Sequence, residues 1–439
     1  ADQVEPFEPS PGTESGPARR GGQYFASGGQ TYHVTEKGRR KLVADFVAQN
    51  VAEITKEDGT RVYEIAGETR LGRRFRFDIA ATDFESTREL KAAIGQAAGA
   101  QASIYAGMSR HVGPAIKQLS NGVEERRRYE RTGWSEHGFL IPGRSFEGVE
   151  IDLSDTLAYG LAPDAELEKG QEALAALLEA MDARLTMPLL VFVLTGPVAA
   201  LLPRVKRYAF FVKGRTNSLK TSYVQAMMAV WGPRFLEDTM LIKYGQGMTL
   251  NAAIKVAASA TDMPIFFDNY KPNTGRGGDW FVNLIHNIVE GGEKLRLTAN
   301  AELRSRNDLH CWPVSTGEDV PDTDPASLAR QLVVEFKWRG GWNEPLGRAQ
   351  QAGRHLSAIG RAWVEWLERP ETKALVRELG EAYAERRKSW NQFLMECRPD
   401  MATMPRIADN LATNSMVAEI AMQCPALRPV LEERFDAYA

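Results

Sequence analysis

The sequence predicts an α/β protein, with a parallel sheet and crossover helices in its core, a small α+β domain before that core and a helical domain after it. Residues 207–340 alternate apolar strand-like runs with helical stretches, which is the pattern of a parallel sheet. Residues 31–150 instead carry short runs with period-two alternation, which is typical of strands. From residue 345 to residue 439 the pattern is almost wholly helical.

These patterns predict four segments. Residues 1–30 are rich in Pro, Gly, Ser and charge, and we expect them to form a flexible linker. The small α+β domain should then span 31–150, the α/β core 151–340 and the helical domain 341–439. No internal repeat is evident.

The composition is that of a soluble protein without a global attraction to polyanions. Hydrophobic residues make up 43% and charged residues 25% of the 439 residues, and the formal net charge is -3. The three cysteines, Cys311, Cys397 and Cys424, are far apart and lack a C-x-x-C spacing. We therefore predict a reducing, cytoplasmic location and neither a disulfide framework nor a structural zinc site.

A basic run lies near the end of the first predicted domain. Arg126–Arg128 are followed by Arg131, and such a run can contact a phosphate backbone. Glu124, Glu125 and Glu130 flank it and offset much of its charge. We interpret it as a solvated face.

The stretch 164–202 predicts helices. Residues 164–183 form an amphipathic helix that Asp164 can cap. The uncharged stretch 185–202 is long enough to be considered as a membrane span, but Pro188 and Pro197 interrupt it. We expect two short buried helices there and no membrane association.

The strongest local signal is a loop between a strand and a helix. The apolar run Tyr208–Val212 leads into the sequence GRTNSLKT, and a helical pattern follows as far as Trp231. The phosphate-loop template is G-x-x-x-x-G-K-[ST] in this context. Its backbone N–H groups wrap a phosphate, its lysine neutralises charge and its hydroxyl ligates Mg²⁺. The open alternative is an ordinary strand–loop–helix with a cap at Thr221.

This loop predicts ATP and Mg²⁺ as cofactors. Lys220 is the expected catalytic cation and Thr221 the expected metal ligand. The nucleotide contacts are assigned to Gly214, Arg215, Thr216, Asn217, Ser218, Leu219, Lys220, Thr221 and Ser222. Leu219 departs from the template because it replaces the second glycine, and we expect it to be tolerated only if its φ is negative and its Cβ points away from the phosphate.

A second motif follows in the run ATDMPIFFDNYKP. The apolar strand 264–267 ends in Asp268, the Walker B arrangement, in which a buried strand delivers a carboxylate to the metal. The usual next residue is an acid that polarises the attacking water, whereas here it is Asn269. An amide orients a water but cannot accept its proton, so we expect Asp268 to act twice, another carboxylate to help, or hydrolysis to be slow. Glu318 is the candidate helper.

A third strand is predicted over 309–315. Thr316 at its end suits a group that senses the γ-phosphate and positions water. The alternative is a strand followed by an ordinary turn.

Several cations remain as candidates. A hairpin around the sequence TANA carries Arg296, Arg304 and Arg306, and Lys271 and Arg276 follow the second motif. We assign Lys271, Arg276, Arg296 and Arg306 to nucleic-acid contact. Arg330 and Arg304 are the candidates for an arginine donated across a subunit interface. A structural ion pair is the alternative for each of these two.

The stretches GRTNSLKTS…VWG, FFDNYKP and GEKLRLTANAELRSRNDLHCWPVSTGEDVP…SLARQLVV together resemble a known family. It comprises the uncharacterised-domain ATPases of phages, plasmids and integrative elements, some of which are similar to hexameric AAA+ replicative helicases of the MCM-like type. The resemblance covers roughly residues 31–430. It implies an AAA+-like P-loop fold, helicase activity on single-stranded or forked DNA, a homo-oligomer, in particular a hexamer, and a primase as a candidate partner. Asn269 departs from the family, which commonly has a second acid there.

Two functions therefore remain open, and a third fits less well. The first is an ATP-driven DNA translocase or helicase that works as a ring. The second is a nucleotide-gated DNA-binding or assembly ATPase with little or no turnover, which Asn269 and Leu219 favour. A small-molecule kinase would need an acceptor-site carboxylate and a lid, and the sequence offers no candidates for either.

Overall fold

The computed structural model describes residues 23–202, 205–244, 248–272, 280–292, 308–320, 325–337, 341, 343–398 and 403–438. These residues divide into two compact units. The first unit comprises the described residues up to Tyr129 together with Phe146–Glu150, and the second comprises Glu130–Ser145 and the described residues from Ile151 onward. Residues 130–145, which the sequence pattern grouped with the first domain, thus pack within the second unit.

The first third of the chain is mostly strands. In chain order its elements are β1 (Gln23–Ser27), β2 (Gln30–Val34), β3 (Arg40–Ala44), β4 (Phe46–Lys56), β5 (Arg61–Thr69), β6 (Arg74–Ala80), α1 (Ala81–Phe84), α2 (Thr87–Ala98), α3 (Val112–Leu119), β7 (Glu124–Tyr129), β8 (Gly133–Ser135), β9 (Gly138–Leu140) and β10 (Val149–Ile151).

The first unit contains two sheets. The strands β1, β2 and β3 form an antiparallel three-stranded sheet, and a second sheet has the order β10-β7-β4-β5-β6. Helices α2 and α3 contribute Ile94 and Ile116 to a core that also contains Phe46, Ile65 and Phe75. This unit has the mixed α+β character that the period-two runs predict.

The second unit continues with helices and parallel strands. Its further elements are α4 (Leu167–Glu179), α5 (Ala183–Ala199), β11 (Ala209–Lys213), α6 (Lys220–Met228), β12 (Ile242–Lys243), α7 (Leu250–Ser259), β13 (Pro264–Tyr270), α8 (Trp280–Val289), β14 (Trp312–Gly317), α9 (Pro325–Ala329), β15 (Gln331–Glu335), α10 (Asn343–Gln351), α11 (Gly353–Glu368), α12 (Pro370–Glu381), α13 (Tyr383–Cys397), α14 (Met404–Gln423) and α15 (Arg428–Tyr438).

A parallel sheet forms the centre of this unit. Its order is β12-β13-β14-β11-β15, and every neighbouring pair is parallel. The strand interiors are buried on both faces, as at Phe210, Phe267 and Val314, which explains why they are continuous apolar runs instead of alternating ones. The predicted α/β class, the parallel sheet and the helical C-terminal region are confirmed. Because β14 lies between β11 and β13, the ends of these three strands are neighbours.

Two helices differ from the sequence expectation. The helix predicted over 164–183 is α4, which begins at Leu167 after an N-cap at Glu166, while Asp164 instead accepts a hydrogen bond from Arg354 at 2.6 Å. The apolar stretch expected to form two short helices is the single helix α5, with Pro188 and Pro197 inside it.

A side chain from another element bonds the carbonyl that the second proline of α5 leaves without a helical partner. Pro197 lacks an N–H, so the carbonyl of Val193 loses its usual helical partner. The indole N–H of Trp231 donates to that carbonyl at 2.9 Å, and the indole of Trp363 donates to the carbonyl of Leu194 at 3.1 Å. Within the described residues, none of the helices combines the length and apolar character that crossing a bilayer requires.

Candidate functional site

Polar side chains meet at the carboxyl edge of the parallel sheet. The strand β11 leads into the loop 214–219 and then into α6, which begins with Lys220. The strands β13 and β14 carry Asp268 and Thr316 near their ends. Because carboxyl ends of parallel strands share one edge, these groups come together where open α/β sheets bind ligands.

The loop 214–219 turns through left-handed backbone. Asn217 has φ 59° and Leu219 has φ 63°. The expectation of a negative φ at Leu219 is therefore wrong: the leucine takes the conformation that a glycine would take in the template. A left-handed conformation costs an L-residue about 1–2 kcal/mol. The side chain is half-buried and packs against the core, as expected for a Cβ that points away from a bound anion.

The interior of the loop contains hydrogen-bond donors and one cation. The Nζ atom of Lys220 donates to the carbonyl of Arg215 at 3.0 Å, although this lysine is only 8% exposed. The hydroxyl of Ser218 is buried and has no hydrogen-bond partner among the described residues. A Cβ at Gly214 would lie 3.2 Å from that hydroxyl and from the Cβ of Phe336, so a side chain there is poorly accommodated. An ammonium, an open hydroxyl and a helix N-terminus together suit an anion such as phosphate.

Asp268 connects the loop to the third strand. Its Oδ1 accepts hydrogen bonds from the hydroxyl of Thr221 at 2.7 Å and from the hydroxyl of Thr316 at 2.5 Å. In the part of the chain that the structure describes, its second oxygen receives no hydrogen bond, so that oxygen is open to a cation. Carboxylate and hydroxyl oxygens are ligands that Mg²⁺ accepts, usually with phosphate and water completing the shell.

A metal site made by protein side chains alone is absent from the described ranges, since no group of three or more His, Cys, Asp or Glu there could hold an ion. The pair Thr221 and Asp268 therefore fits Mg²⁺ only as a partial shell.

A bulge separates Asp268 from the next residue. The register between β13 and β14 shifts between Phe267 and Tyr270, and Asn269 takes φ 60° and is exposed. Bulges of this kind redirect successive side chains. The main-chain N–H of Asn269 donates to the hydroxyl of Thr316 at 3.2 Å. Thr316 thus holds both residues of the second motif in place.

Glu318 lies against the loop. Its carboxylate accepts hydrogen bonds from the main-chain N–H and the hydroxyl of Thr216. These bonds, and then the charges of Lys220 and Lys271, hold the pKa of Glu318 below its ordinary value. The carboxylate therefore remains ionised and occupies the main-chain N–H of Thr216.

Arg330 lies at the other edge of the sheet. It precedes β15, whose five residues run toward the loop, and at ~3.3 Å per residue the strand separates it from the carboxyl edge by about 16 Å. Its guanidinium is 3.2 Å from the carboxylate of Glu290 and donates to the carbonyl of Ala326 at 2.9 Å. It does not reach the site of its own chain, and a role across a subunit interface stays a prediction.

The remaining predicted residues are placed as follows. Arg215 is exposed, and Ser222 is half-buried in the first turn of α6. Lys271 is exposed just after β13 and is close enough to Glu318 to lower its pKa. Four predicted cations lie outside the described residues, namely Arg276, Arg296, Arg304 and Arg306.

The sequence reasoning missed two residues that shape the loop. The carbonyl of Gly317 accepts from the N–H of Gly214 at 2.9 Å, and a Cβ at Gly317 would lie 2.8 Å from the ring of Phe211. The N–H of Phe336 bonds the carbonyl of Lys213 at 2.6 Å. The glycine at the end of a predicted strand was an available signal, whereas Phe336 is 122 positions after Gly214 and offered none.

A family model described as a domain of unknown function (DUF927) matches residues 99–308, a little under half of the chain. The matched stretch includes the loop and Asp268 and ends before Thr316. No curated protein matches the chain.

Solved structures show what fold the chain has. It is similar to the structure of the SCCmec type IV Cch, an active helicase, with a TM-score of 0.62 and 14% identity over 97% of this chain and 78% of that chain. At this identity the similarity shows that the two chains share a fold.

Two further structures are more distant. The JCV helicase with a bound acetamide compound has a TM-score of 0.29 and 17% identity over 49% of this chain and 67% of that chain. The apo C-terminal region of NrS-1 has a TM-score of 0.31 and 11% identity over 87% and 89%. These scores are too low to support an argument about fold or function.

Proposed function

We propose that the chain is an ATP-dependent DNA translocase or helicase of a mobile element or phage, with an AAA+-like P-loop core. The observation that carries the proposal is the group of Lys220, Thr221 and Asp268 at the carboxyl edge of the parallel sheet. A buried lysine ammonium lies inside the loop, and the next residue, Thr221, is hydrogen-bonded to Asp268. The fold shared with an active helicase supports DNA as the substrate. The proposal includes a cytoplasmic location, a homo-oligomeric ring, in particular a hexamer, and a primase as a candidate partner.

In this proposal the loop binds the phosphates of ATP. The N–H of Gly214 is bonded to Gly317 and that of Thr216 to Glu318, so the other main-chain N–H groups of the loop and the N-terminus of α6 would contact the phosphates first. Lys220 leaves the carbonyl of Arg215 and neutralises phosphate charge. Thr221 and Asp268 hold Mg²⁺, and Thr316 keeps Asp268 oriented through its 2.5 Å hydrogen bond. Mg²⁺ held by Thr221 and Asp268 would offset negative charge on the phosphates.

Water activation is the step for which this chain departs from the common pattern. The exposed amide of Asn269 can orient a water beside the phosphates but cannot take its proton. Glu318 is the carboxylate available for that proton, provided that the phosphates displace it from Thr216. Its lowered pKa makes it a weak base, so we expect slow turnover.

The remaining roles require a second subunit and DNA. Arg330 or Arg304 from a neighbouring subunit would stabilise charge in the transition state. Contacts to DNA are proposed for Lys271, Arg276, Arg296 and Arg306.

The second candidate is a nucleotide-gated DNA-binding or assembly ATPase with little or no turnover. The specific observation in its favour is that Glu318 occupies the N–H of Thr216 while Asn269 replaces the usual acid. Under this reading, nucleotide binding orders the oligomer, and hydrolysis is incidental.

One set of measurements tests both candidates. We compare wild type, Lys220→Ala and Asn269→Glu in two measurements. The first is ATP turnover with and without single-stranded DNA, and the second is the mass in solution with a non-hydrolysable ATP analogue. Lys255→Ala, an exposed change on α7, is the matched control. DNA-stimulated turnover that Lys220→Ala abolishes and Asn269→Glu raises supports the translocase. Nucleotide-dependent assembly without turnover supports the second candidate. A strand-separation assay on forked DNA completes the set, and intact unwinding by Lys220→Ala would refute the first.

A further inference from the structure

The basic run of the first unit is neutralised within the sheet. The guanidinium of Arg126 lies 3.1 Å from the carboxylate of Glu64 and 3.0 Å from that of Glu150. Arg128 lies 2.5 Å from the carboxylate of Asp78 and 2.7 Å from that of Glu150. These two arginines are half-buried, and their charge is already compensated. This face is unsuited to a polyanion, in agreement with its interpretation as an ordinary solvated face.

Other cations of the same unit have no such partners. They are grouped at the start of β3 and in the turn between β5 and β6. These cations are Arg39, Arg40, Lys41, Arg70 and Arg73. In the described part of the chain, none of the five forms an ion pair with a carboxylate.

The turn that carries Arg70 adjoins the turn between β1 and β2. A Cβ at Gly29 would lie 3.0 Å from the Cα of Arg70. The side chain of Leu71, at the tip of the β5–β6 turn, is 75% exposed. The two turns therefore form one continuous surface with unpaired positive charge.

An aromatic pair lies on the three-stranded sheet beside these turns. Phe25 of β1 is directly opposite Tyr32 of β2, and their rings stack with centroids 5.2 Å apart and planes 13° from parallel. The guanidinium of Arg40 lies 5.0 Å from the centroid of the Phe25 ring. Arg40 is opposite Val34, two residues from Tyr32, so all three side chains share one face of the sheet.

The other face of this sheet is the one that packs inward. Thr31 and Val43 are buried, and the rings of His33 and His111 stack with centroids 4.4 Å apart. Phe25 and Tyr32 are only half-buried, and neither belongs to the hydrophobic core of the unit. The aromatic pair therefore lies outside the hydrophobic core of the unit.

Tyr105 extends the same surface. Its ring is 40% exposed, and its hydroxyl donates to the carboxylate of Asp45 at 3.1 Å. That carboxylate also accepts a hydrogen bond from the side-chain amide of Gln30 at 2.5 Å, so two donors partly offset its negative charge. The main-chain N–H of Arg70 donates to the carbonyl of Asp45 at 2.8 Å, so Arg70 adjoins the residue that Tyr105 bonds.

We propose that this aromatic–cation face, defined by Phe25, Tyr32, Arg40, Arg70 and Tyr105, binds single-stranded nucleic acid. Unstacked bases offer flat π-surfaces to aromatic side chains, and arginines bind the phosphates between them. A duplex hides its base faces, so the stacking requires a single strand. The inference goes beyond the proposed function, since it concerns the first unit and does not depend on the nucleotide site.

The test measures binding of a dye-labelled oligothymidylate to the full chain without nucleotide, by fluorescence anisotropy over a salt series. Stacking on an aromatic side chain contributes roughly 1–3 kcal/mol per base, which corresponds to an affinity loss of about 5- to 150-fold on its removal. We expect Phe25→Leu and Tyr32→Leu to weaken binding by at least about fivefold, and Phe25→Tyr to preserve it. Arg40→Ala should reduce the slope of log K against log salt by about 0.7.

The controls separate this face from general charge and from folding. Arg88→Ala, on a side chain that is 92% exposed on α2, should leave affinity and slope unchanged. An oligomer of abasic deoxyribose phosphates should bind more weakly than oligothymidylate, and oligouridylate should bind about equally, since the argument involves no contact to the sugar. The titrations contain no nucleotide, so a failure of the nucleotide-site proposal would remain distinguishable.

Three outcomes would overturn the proposal. They are wild-type affinity in both leucine variants, equal binding of abasic and base-bearing oligomers, and a preference for duplex over single strands. If Phe25→Tyr lost affinity together with Phe25→Leu while both variants unfolded like wild type, the ring would not be the binding element.

Discussion

Leu219 offers a direct test of the loop conformation, because its backbone is left-handed at φ 63° and ψ 8°. The perturbation is a pair of substitutions, Leu219→Gly and Leu219→Ala. Both remove the half-buried side chain beyond Cβ, so the difference between them reports mainly the backbone.

The magnitude follows from two opposing terms. An alanine at position 219 would still be destabilised by about 1–2 kcal/mol because its backbone is left-handed, whereas a glycine would not. Glycine in turn makes the unfolded chain more flexible, which favours unfolding by roughly 0.4–1 kcal/mol. The first term is larger, so the glycine variant should have a free energy of unfolding about 1 kcal/mol above that of the alanine variant.

The assay is denaturant unfolding of the second unit, followed by tryptophan fluorescence, since several of its tryptophans are buried. Gly347→Ala is the matched control in the same unit. Gly347 lies within α10, its φ is not in the left-handed range, and a Cβ there would meet nothing within 4 Å. Alanine should therefore be more stable than glycine at position 347 by roughly 0.5–1 kcal/mol, the opposite sign.

The reasoning is refuted if Leu219→Ala equals or exceeds Leu219→Gly in stability while position 347 behaves as described. Such a result would mean that residue 219 has an ordinary negative φ. The loop would then not have the backbone that the phosphate-loop template requires.

Three further predictions follow from single contacts. Trp231→Phe should destabilise the second unit by about 1–3 kcal/mol, since it removes the donor to the carbonyl that Pro197 leaves open. The loss should be smaller in a Pro197→Ala background, which a double-mutant cycle of unfolding free energies measures. Thr316→Val should lower kcat for ATP more than it raises KM, since Asp268 loses one orienting hydrogen bond; an unchanged kcat would contradict the role of Thr316. The pKa of Glu318 is lowered in the folded chain, so its contribution to stability is present at neutral pH and is lost as pH falls through that pKa. The difference in melting temperature between wild type and Glu318→Gln should therefore narrow on acidification below about pH 5, and a constant difference would show that the carboxylate is not engaged.

The sequence predicted those features of the fold that depend on local pattern. Apolar runs such as those around Phe210 and Phe267 indicate strands buried on both faces, and the helical periodicity of the last hundred residues indicates a helical region. The edge at which the loop, Asp268 and Thr316 meet also follows from pattern, because parallel strands with crossover helices place their carboxyl ends together.

The features that pattern did not predict depend on contacts between distant segments. The helix α5 continues through Pro197, and Trp231 and Trp363, from other elements, bond its carbonyls. The left-handed backbone at Leu219 arises because the chain must close a tight loop before α6, and the hydrogen bonds within that loop outweigh a cost of about 1–2 kcal/mol. The tryptophan contacts to α5 have no signal in the local sequence. The left-handed residue has one, namely its position in the phosphate-loop template, where a glycine is usual.

The position of Arg330 shows a different limit. A lone arginine before a strand reads equally well as a structural cation or as a residue donated to a neighbouring subunit. The sheet places Arg330 at the edge opposite the loop and beside Glu290. This position excludes contact between Arg330 and the candidate site of its own chain, and it excludes no other role.

The cations of the first unit show why charge density along a sequence is a poor guide to polyanion binding. Arg126 and Arg128 belong to the densest basic run, yet β7 lies between β4 and β10, and this register brings the carboxylates of Glu64 and Glu150 onto their guanidiniums. Arg40 and Arg70 are separated along the chain, yet Arg40 lies over the Phe25 ring of the three-stranded sheet and Arg70 adjoins the β1–β2 turn of that sheet. No carboxylate among the described residues pairs with either arginine. A polyanion interacts with charge that remains uncompensated after folding, and in a sheet the strand order determines which charges those are. The variants Arg40→Ala and Arg88→Ala test this distinction, because both remove one exposed cation from the same unit and only one of them lies on the aromatic–cation face.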